Sequence, residues 1–305
     1  MLNDEIYEKF ISFWEVIKLN CKYIVQNTLR IAGPLYSAAT IILTFVTWDD
    51  LKVTRTTQKI GALSLIFVGS FILAGIYTLY FKRSKTLWVL GSGSVQVRYM
   101  DVIKLAFSKS DLSKKIIVIP VNTNFDTIVD SDISVCRKPL VSEKSLHGKW
   151  IKAMISHGYT REELNQRIQY SLNLNHITPC YSQERSPGNP NFYPFGSTAI
   201  IRYNKQVTFF LLAMSEFDDD NVASCSPGNY LASLAALIDC YIQHGQGYDF
   251  YIPLLGSNLS KATSSHKEAM EKIISMLKLR QNQLCGKITV VVYPNDRKNV
   301  TILDA

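Results

Sequence analysis

Two uncharged apolar runs, Ile31–Trp48 and Ile60–Phe81, constrain this chain more than any other feature. At 1.5 Å per residue the first spans roughly 27 Å as a helix and the second roughly 33 Å. Both approach or exceed the ~30 Å hydrocarbon core of a bilayer, so a transmembrane hairpin is expected, with a buried helical pair as the alternative. A cleaved signal peptide does not fit, because the first run is preceded by Asp4, Glu5, Glu8 and Glu15. The loop Asp49–Lys59 is too short to be a domain, which puts both ends of the chain on one side. Lys18, Lys22 and Arg30 before the first run, and Lys82, Arg83 and Lys85 after the second, outweigh Lys52, Arg55 and Lys59 in the loop. That bias favours termini inside, on the cytoplasmic face.

Within the first run Ser37, Thr40, Thr44 and Thr47 fall on one helix face. They would line a pore, bond a neighbouring helix, or bond back to their own helix carbonyls, the last being the simplest. The second run carries Gly61, Ser64, Gly69, Ser70, Ala74 and Gly75, small enough for close helix approach within the hairpin or between copies. Residues 1–30 read as an amphipathic helix with Ile6, Phe10, Phe13 and Ile17 on one face. It would lie in the membrane interface with Trp14 as anchor, or pack on the soluble domain or a sister chain.

Residues 82–305 are enough for one α/β domain with its own core. The net charge of +8 is compatible with nucleic acid, anionic lipid or a phosphate-bearing ligand. The basic residues are scattered and no nucleic-acid-binding signature is present, so nucleic acid ranks last. Six cysteines show no CxxC pair, and a reducing compartment suits them. The five histidines include no metal-spaced pair, and no GxSxG, HExxH or P-loop pattern occurs. Neither a metal nor a cofactor is expected, and the acidic run at Glu216–Asp220 reads as a solvated loop.

Strand and helix patterns alternate. Leu87–Leu90 and Val95–Tyr99 flank a Gly-Ser turn, and strands are expected at 116–121, 199–203, 207–213, 250–253, 288–293 and 300–303. Helices are expected at 149–157, 162–172, 230–244 and 265–279. That order implies a layered α/β/α domain with helices on both faces of a mixed sheet, and ligands at the carboxyl ends of its strands. Three loops there combine glycine, hydroxyls and amides: Asn122-Thr123-Asn124-Phe125-Asp126-Thr127, Phe195-Gly196-Ser197-Thr198, and Leu255-Gly256-Ser257-Asn258-Leu259-Ser260. Backbone amides in such loops suit a diphosphate, although each loop alone is also ordinary turn chemistry.

The order of these segments resembles macro domains. Val95–Val102 resembles their first strand and Asp-Ile step, which implies that Asp101 and Val102 hold adenine. Ile116–Asn124 resembles the strand leading into their Asn loop, implying ribose contacts over Asn122–Thr127, and the two glycine loops resemble the phosphate loops. Together with Ser145-Leu146-His147-Gly148 and the preceding two-run segment, residues 31–305 resemble the membrane effectors of type II Thoeris antiphage defence. That resemblance implies a bacterial inner-membrane protein, with its macro domain in the cytoplasm. It also implies a receptor for histidine-ADP-ribose made by a partner TIR-domain enzyme, which oligomerises and compromises the membrane. His147, at a helix start, is a further ligand candidate or simply a structural histidine. The glycine run that follows the Asn loop in catalytic macro domains is absent, which argues against an enzyme. A membrane-tethered ADP-ribosyl hydrolase, and a structural subunit with a vestigial pocket, are the competing readings.

Overall fold

The computed structural model describes residues 2–48, 50–108, 111–130, 141–184, 188–217, 223–256 and 262–305, with side chains described from Ile11 onward. The chain divides into two contact units, Met1–Lys85 with Arg297–Asp304, and Thr86–Asp296 with Ala305.

In the first unit the expected amphipathic helix and the first apolar run are one element, α1 (Leu2–Phe45), 44 residues long and unbroken at Pro34. No breaker separates the two patterns, so helix propagation, which adds one hydrogen bond per residue fixed, carries through. Helix α2 (Thr56–Ile76) returns alongside it and ends in a π-turn over Tyr77–Phe81. Two segments, Ile11–Phe45 and Thr56–Phe81, are long and apolar enough to cross a membrane.

The hydroxyl face resolves to the simplest of its readings. Ser37 donates to the Gly33 carbonyl (3.1 Å), Thr40 to Tyr36 (2.8 Å) and Thr44 to Ile41 (2.6 Å). Thr47, beyond the helix end, bonds Asp50 instead. Ser70 and Ala74 are buried, whereas a Cβ placed on Gly61, Gly69 or Gly75 would meet nothing within 4 Å. Asn27 reaches Thr78 across the hairpin at 2.9 Å, and Tyr36 reaches the Leu63 carbonyl at 2.7 Å.

The second unit begins with the hairpin β1 (Ser84–Leu90) and β2 (Gly93–Tyr99). The short α3 (Val102–Ala106), β3 (Lys115–Asn122), α4 (Leu146–Ser156) and α5 (Arg161–Leu174) follow. A two-stranded ribbon, β4 (Tyr181–Ser182) and β5 (Asn191–Phe192), leads to β6 (Thr198–Arg202), β7 (Val207–Phe217) and the minor β8 (Ala223–Ser224). The chain ends with α6 (Pro227–His244), β9 (Asp249–Pro253), α7 (His266–Leu279) and β10 (Lys287–Val292). The strand expected at Val300–Leu303 is instead a 3-10 turn, Ile302–Asp304, and it belongs to the first unit.

The sheet order is β1-β2-β10-β9-β3-β7-β6, with β8 on β7. Strands β2, β10, β9, β3 and β7 are mutually parallel and β6 is antiparallel to β7. Side chains alternate between faces along each strand, so both faces are apolar where both are covered. Ile117, Ile119 and Val121 face Trp150, Ile151 and Met154 of α4 with Leu164 and Ile168 of α5. On the other face the Tyr241 ring of α6 stacks on Phe250, 4.1 Å between centroids. The result is a three-layer α/β/α domain on a mixed sheet.

Candidate functional site

Because five strands run parallel, their carboxyl ends share one edge of the sheet, and the antiparallel β6 begins there. Asp101 follows β2, the Asn122–Thr127 loop follows β3, Leu255 and Gly256 follow β9, and Gly196–Thr198 opens β6. Main-chain bonds then draw these segments together in pairs. The end of β7 holds two of them: Thr123 N–H donates to Ser215 O (2.8 Å) and Gly196 N–H to Ala213 O (2.9 Å). The end of β10 holds the other two: Leu254 N–H donates to Val291 O (3.1 Å) and Met100 N–H to Val292 O (3.0 Å). Helix α6 spans the glycine loops. A Cβ on Gly256 (φ +77°) would sit 2.6 Å from the Tyr230 ring, and one on Gly196 (φ +86°) 2.8 Å from Ala236 Cβ. Both positions therefore require glycine for space as well as for backbone angle. Ser257, Asn258, Leu259 and Ser260 lie outside the described residues.

The Asn loop is a closed network. Asn122 Nδ2 donates to Asp126 Oδ2 (2.7 Å), and Asp126 N–H returns to Asn122 Oδ1 (3.1 Å). Thr127 Oγ1 donates to Asn165 Oδ1 at 2.8 Å. Phe125 adopts φ 52°, a conformation costing roughly 1–2 kcal/mol outside glycine. Its ring is fully buried edge-on to Tyr193, which holds it there.

Asn189, absent from the sequence reading, clamps this loop. Its N–H donates to Asp126 Oδ1 (2.8 Å), and its Nδ2 donates to the Asn124 (3.1 Å) and Phe125 (2.8 Å) carbonyls. In return, Asn124 Nδ2 donates to the Asn189 and Asn191 carbonyls, each at 3.1 Å. Only the turn-forming Asn-Pro-Asn at 189–191 hinted at structure there. Two polar atoms of the loop, Thr123 Oγ1 and Asn124 Oδ1, are buried without a partner among the described residues.

Asp101 caps α3. Its Oδ1 accepts from Ile103 N (2.9 Å) and Lys104 N (3.2 Å), while Val102 is buried behind it. His147 caps nothing; it donates to the Asp126 main-chain carbonyl, and burial holds its pKa down at about 3, so the ring is neutral. It ties α4 to the Asn loop.

Gly196 and Ser197 N–H are engaged with the Ala213 and Pro194 carbonyls, and Phe195 is half-buried beside them. The N–H groups of Leu255 and Gly256 have no partner among the described residues, which leaves them open to an anion. Tyr230, whose phenol burial keeps protonated, donates to the Leu255 carbonyl (3.2 Å) and fixes that turn. No group of three or more His, Cys, Asp or Glu placed to hold a metal occurs among the described residues.

A mixed sheet with loops gathered at one carboxyl edge, preceded in the chain by two long apolar helices, has the makeup of a macro-type domain that follows a helical hairpin. The family model for the Thoeris protein ThsA macro domain matches residues 95–293, from the core of β2 to the residue after β10, and the chain belongs to that family. The Thoeris protein ThsA of Bacillus amyloliquefaciens (strain Y2) is 26% identical over 273 residues, covering 86% of this chain and 82% of that protein. The mouse activating signal cointegrator 1 complex subunit 3 is 26% identical over 157 residues, 48% of this chain and 7% of that protein. Among solved structures, a mutant Oceanobacillus iheyensis macrodomain superposes with a TM-score of 0.44 at 12% identity, covering 70% of this chain and 92% of that one. A Streptomyces coelicolor macrodomain protein gives 0.33 at 11% identity, with 61% and 93% covered.

Proposed function

We propose that this protein is a membrane effector of Thoeris antiphage defence whose macro domain receives an ADP-ribose-derived signal. The signal is the histidine conjugate of ADP-ribose, made by a partner TIR-domain enzyme. Adenine lies against Asp101 and Val102, with its amino group on the Oδ2 atom that the helix cap leaves over. The proximal ribose lies on Asn122–Thr127, and the diphosphate on Leu255–Gly256 beside Gly196–Thr198. The observation that carries the reading is the gathering of these segments at one sheet edge, where Thr123 Oγ1 and Asn124 Oδ1 are buried and have no partner among the described residues. A buried polar atom without a partner costs about 1–3 kcal/mol, which a ribose hydroxyl would recover. The two long apolar helices sit in the bacterial inner membrane with the macro domain on the cytoplasmic side. Occupied copies self-associate and disrupt the bilayer, which requires that the signal bind the assembled state more tightly than the resting one.

The test is calorimetric titration of detergent-solubilised full-length protein with ADP-ribose and with its histidine conjugate, followed by chromatography of the recovered ligand and by particle sizing. The conjugate is expected to bind, return intact and enlarge the particle. Intact return follows from the engagement of Asn124 Nδ2 and of both Asp126 carboxylate oxygens, the groups a hydrolase would use. Heat from neither ligand would overturn the receptor, and cleaved ligand would replace it with the hydrolase.

A further inference from the structure

The final residues of the chain form a clasp on the helical hairpin, and their origin is the ligand edge. Within the first unit, Thr301 Oγ1 donates to Asn20 Oδ1 at 2.7 Å, with both residues buried. Tyr23 OH donates to Asp304 Oδ1 (2.7 Å) and lies 3.0 Å from the Leu303 carbonyl. Lys85 Nζ donates to that same carbonyl at 2.8 Å, and Arg297 Nη2 donates to the carbonyl of Leu79 in the π-turn. The clasp thus holds α1, the end of the second apolar segment and the start of β1 at once.

In the second unit the same chain emerges from β10. Val291 and Val292, its last two residues, accept the main-chain bonds that seat Leu254 and Met100, each next to a ligand segment. The following residue, Tyr293, has Lys149 Nζ over its ring at 4.9 Å. Lys149 lies two residues beyond His147, which bonds the Asp126 carbonyl in the Asn loop. Only the short turn 294–296 then separates Tyr293 from Arg297. A displacement at the Asn loop or at either loop beside β10 therefore reaches β10 and Tyr293 through hydrogen bonds and a cation–π contact, and passes along the chain from there to the clasp.

We infer that residues 297–304 couple the macro domain's ligand edge to the hairpin, restraining it in the resting state and releasing it on occupancy. This rests on the receptor reading above. Its energetic content is modest: a coupling of about 1–3 kcal/mol, or roughly 5–150-fold, is ordinary for linked sites and matches a few hydrogen bonds.

The experiment locks the clasp. Full-length Asn20→Cys/Thr301→Cys protein is reconstituted into vesicles of phosphatidylethanolamine and phosphatidylglycerol carrying a self-quenched dye, and challenged with the histidine conjugate of ADP-ribose when oxidised and again when reduced. Oxidised protein should bind the conjugate as the reduced protein does, while its ligand-induced leakage falls by at least about fivefold and returns on reduction. Equal leakage from both forms would overturn the coupling and leave the receptor standing; loss of binding in both forms would overturn the receptor, and the coupling with it. A second variant needs no cross-link: Tyr23→Phe/Thr301→Val should leak at a conjugate dose at least about threefold lower than the parent. An unchanged dose–response would overturn the restraint.

Discussion

At the scale of single residues the site rests on groups whose roles differ from their residue types. His147 is a neutral donor to one carbonyl, and its folded pKa of about 3 lies below the ordinary 6.5. Between those values the unfolded chain binds the additional proton, so this contribution to stability is full above pH 6.5 and is lost as pH falls toward 3. The melting temperature of the full chain should drop across that window, and His147→Gln, which keeps an N–H donor, should remove part of the slope; parallel curves would contradict the assignment. Asn189→Ala deletes donors to two carbonyls and should cost about 1–3 kcal/mol by denaturant titration, with at least about fivefold weaker conjugate binding. Gly256→Ala meets both the Tyr230 ring and a φ of +77°, and a thermal shift smaller than that of a surface Gly→Ala control would refute the packing argument.

At the scale of elements, Asp101 caps α3 and, in the proposed reading, also meets the ligand. As N-cap of α3 it is worth about 1 kcal/mol, so Asp101→Ala confounds helix stability with ligand contact. Asp101→Ser retains a cap and removes the second carboxylate oxygen. Stability near that of the parent, with conjugate binding reduced about as far as in Asp101→Ala, is expected from melting and titration of both variants; binding retained in the serine variant would mean the carboxylate contacts no ligand. The strands and longer helices were legible because β-branched runs and 3.6-residue periods mark them directly, as Ile116–Val121 and Ser265–Leu279 do. Helix α3 was not, since five residues carry no period and its start is visible only as an Asp before an apolar pair. The site was half legible. Asn122–Thr127 and the glycine loops could be read from their turn chemistry and order, but Asn189 acts over more than sixty residues of sequence and reaches its partners through a turn that looks like any other. The expected strand at 300–303 failed because Val300, Thr301 and Ile302 have the right residue types, yet are buried in the clasp, where the chain closes in a 3-10 turn.

At the scale of the whole molecule, the hairpin exposes Ile41, Ile42, Phe45, Leu65, Phe71 and Ile72 along its length. So large an apolar surface is foreign to a water-facing helix pair, and lipid is the solvent that suits it. Membranes from expressing cells should retain the full chain through an alkaline carbonate wash; release into the supernatant would place the hairpin outside the bilayer.

The unbroken course of α1 has a mechanical consequence. At 1.5 Å per residue its 44 residues make a rod of roughly 66 Å, about twice the thickness of the hydrocarbon core. A rod transmits torque, so a twist applied at Asn20 and Tyr23 is carried toward Phe45 along one continuous element. The point of compliance is Pro34, where the missing N–H leaves the Arg30 carbonyl without its helical bond. The stiffness of that single turn sets how much of a rotation begun at one end arrives at the other.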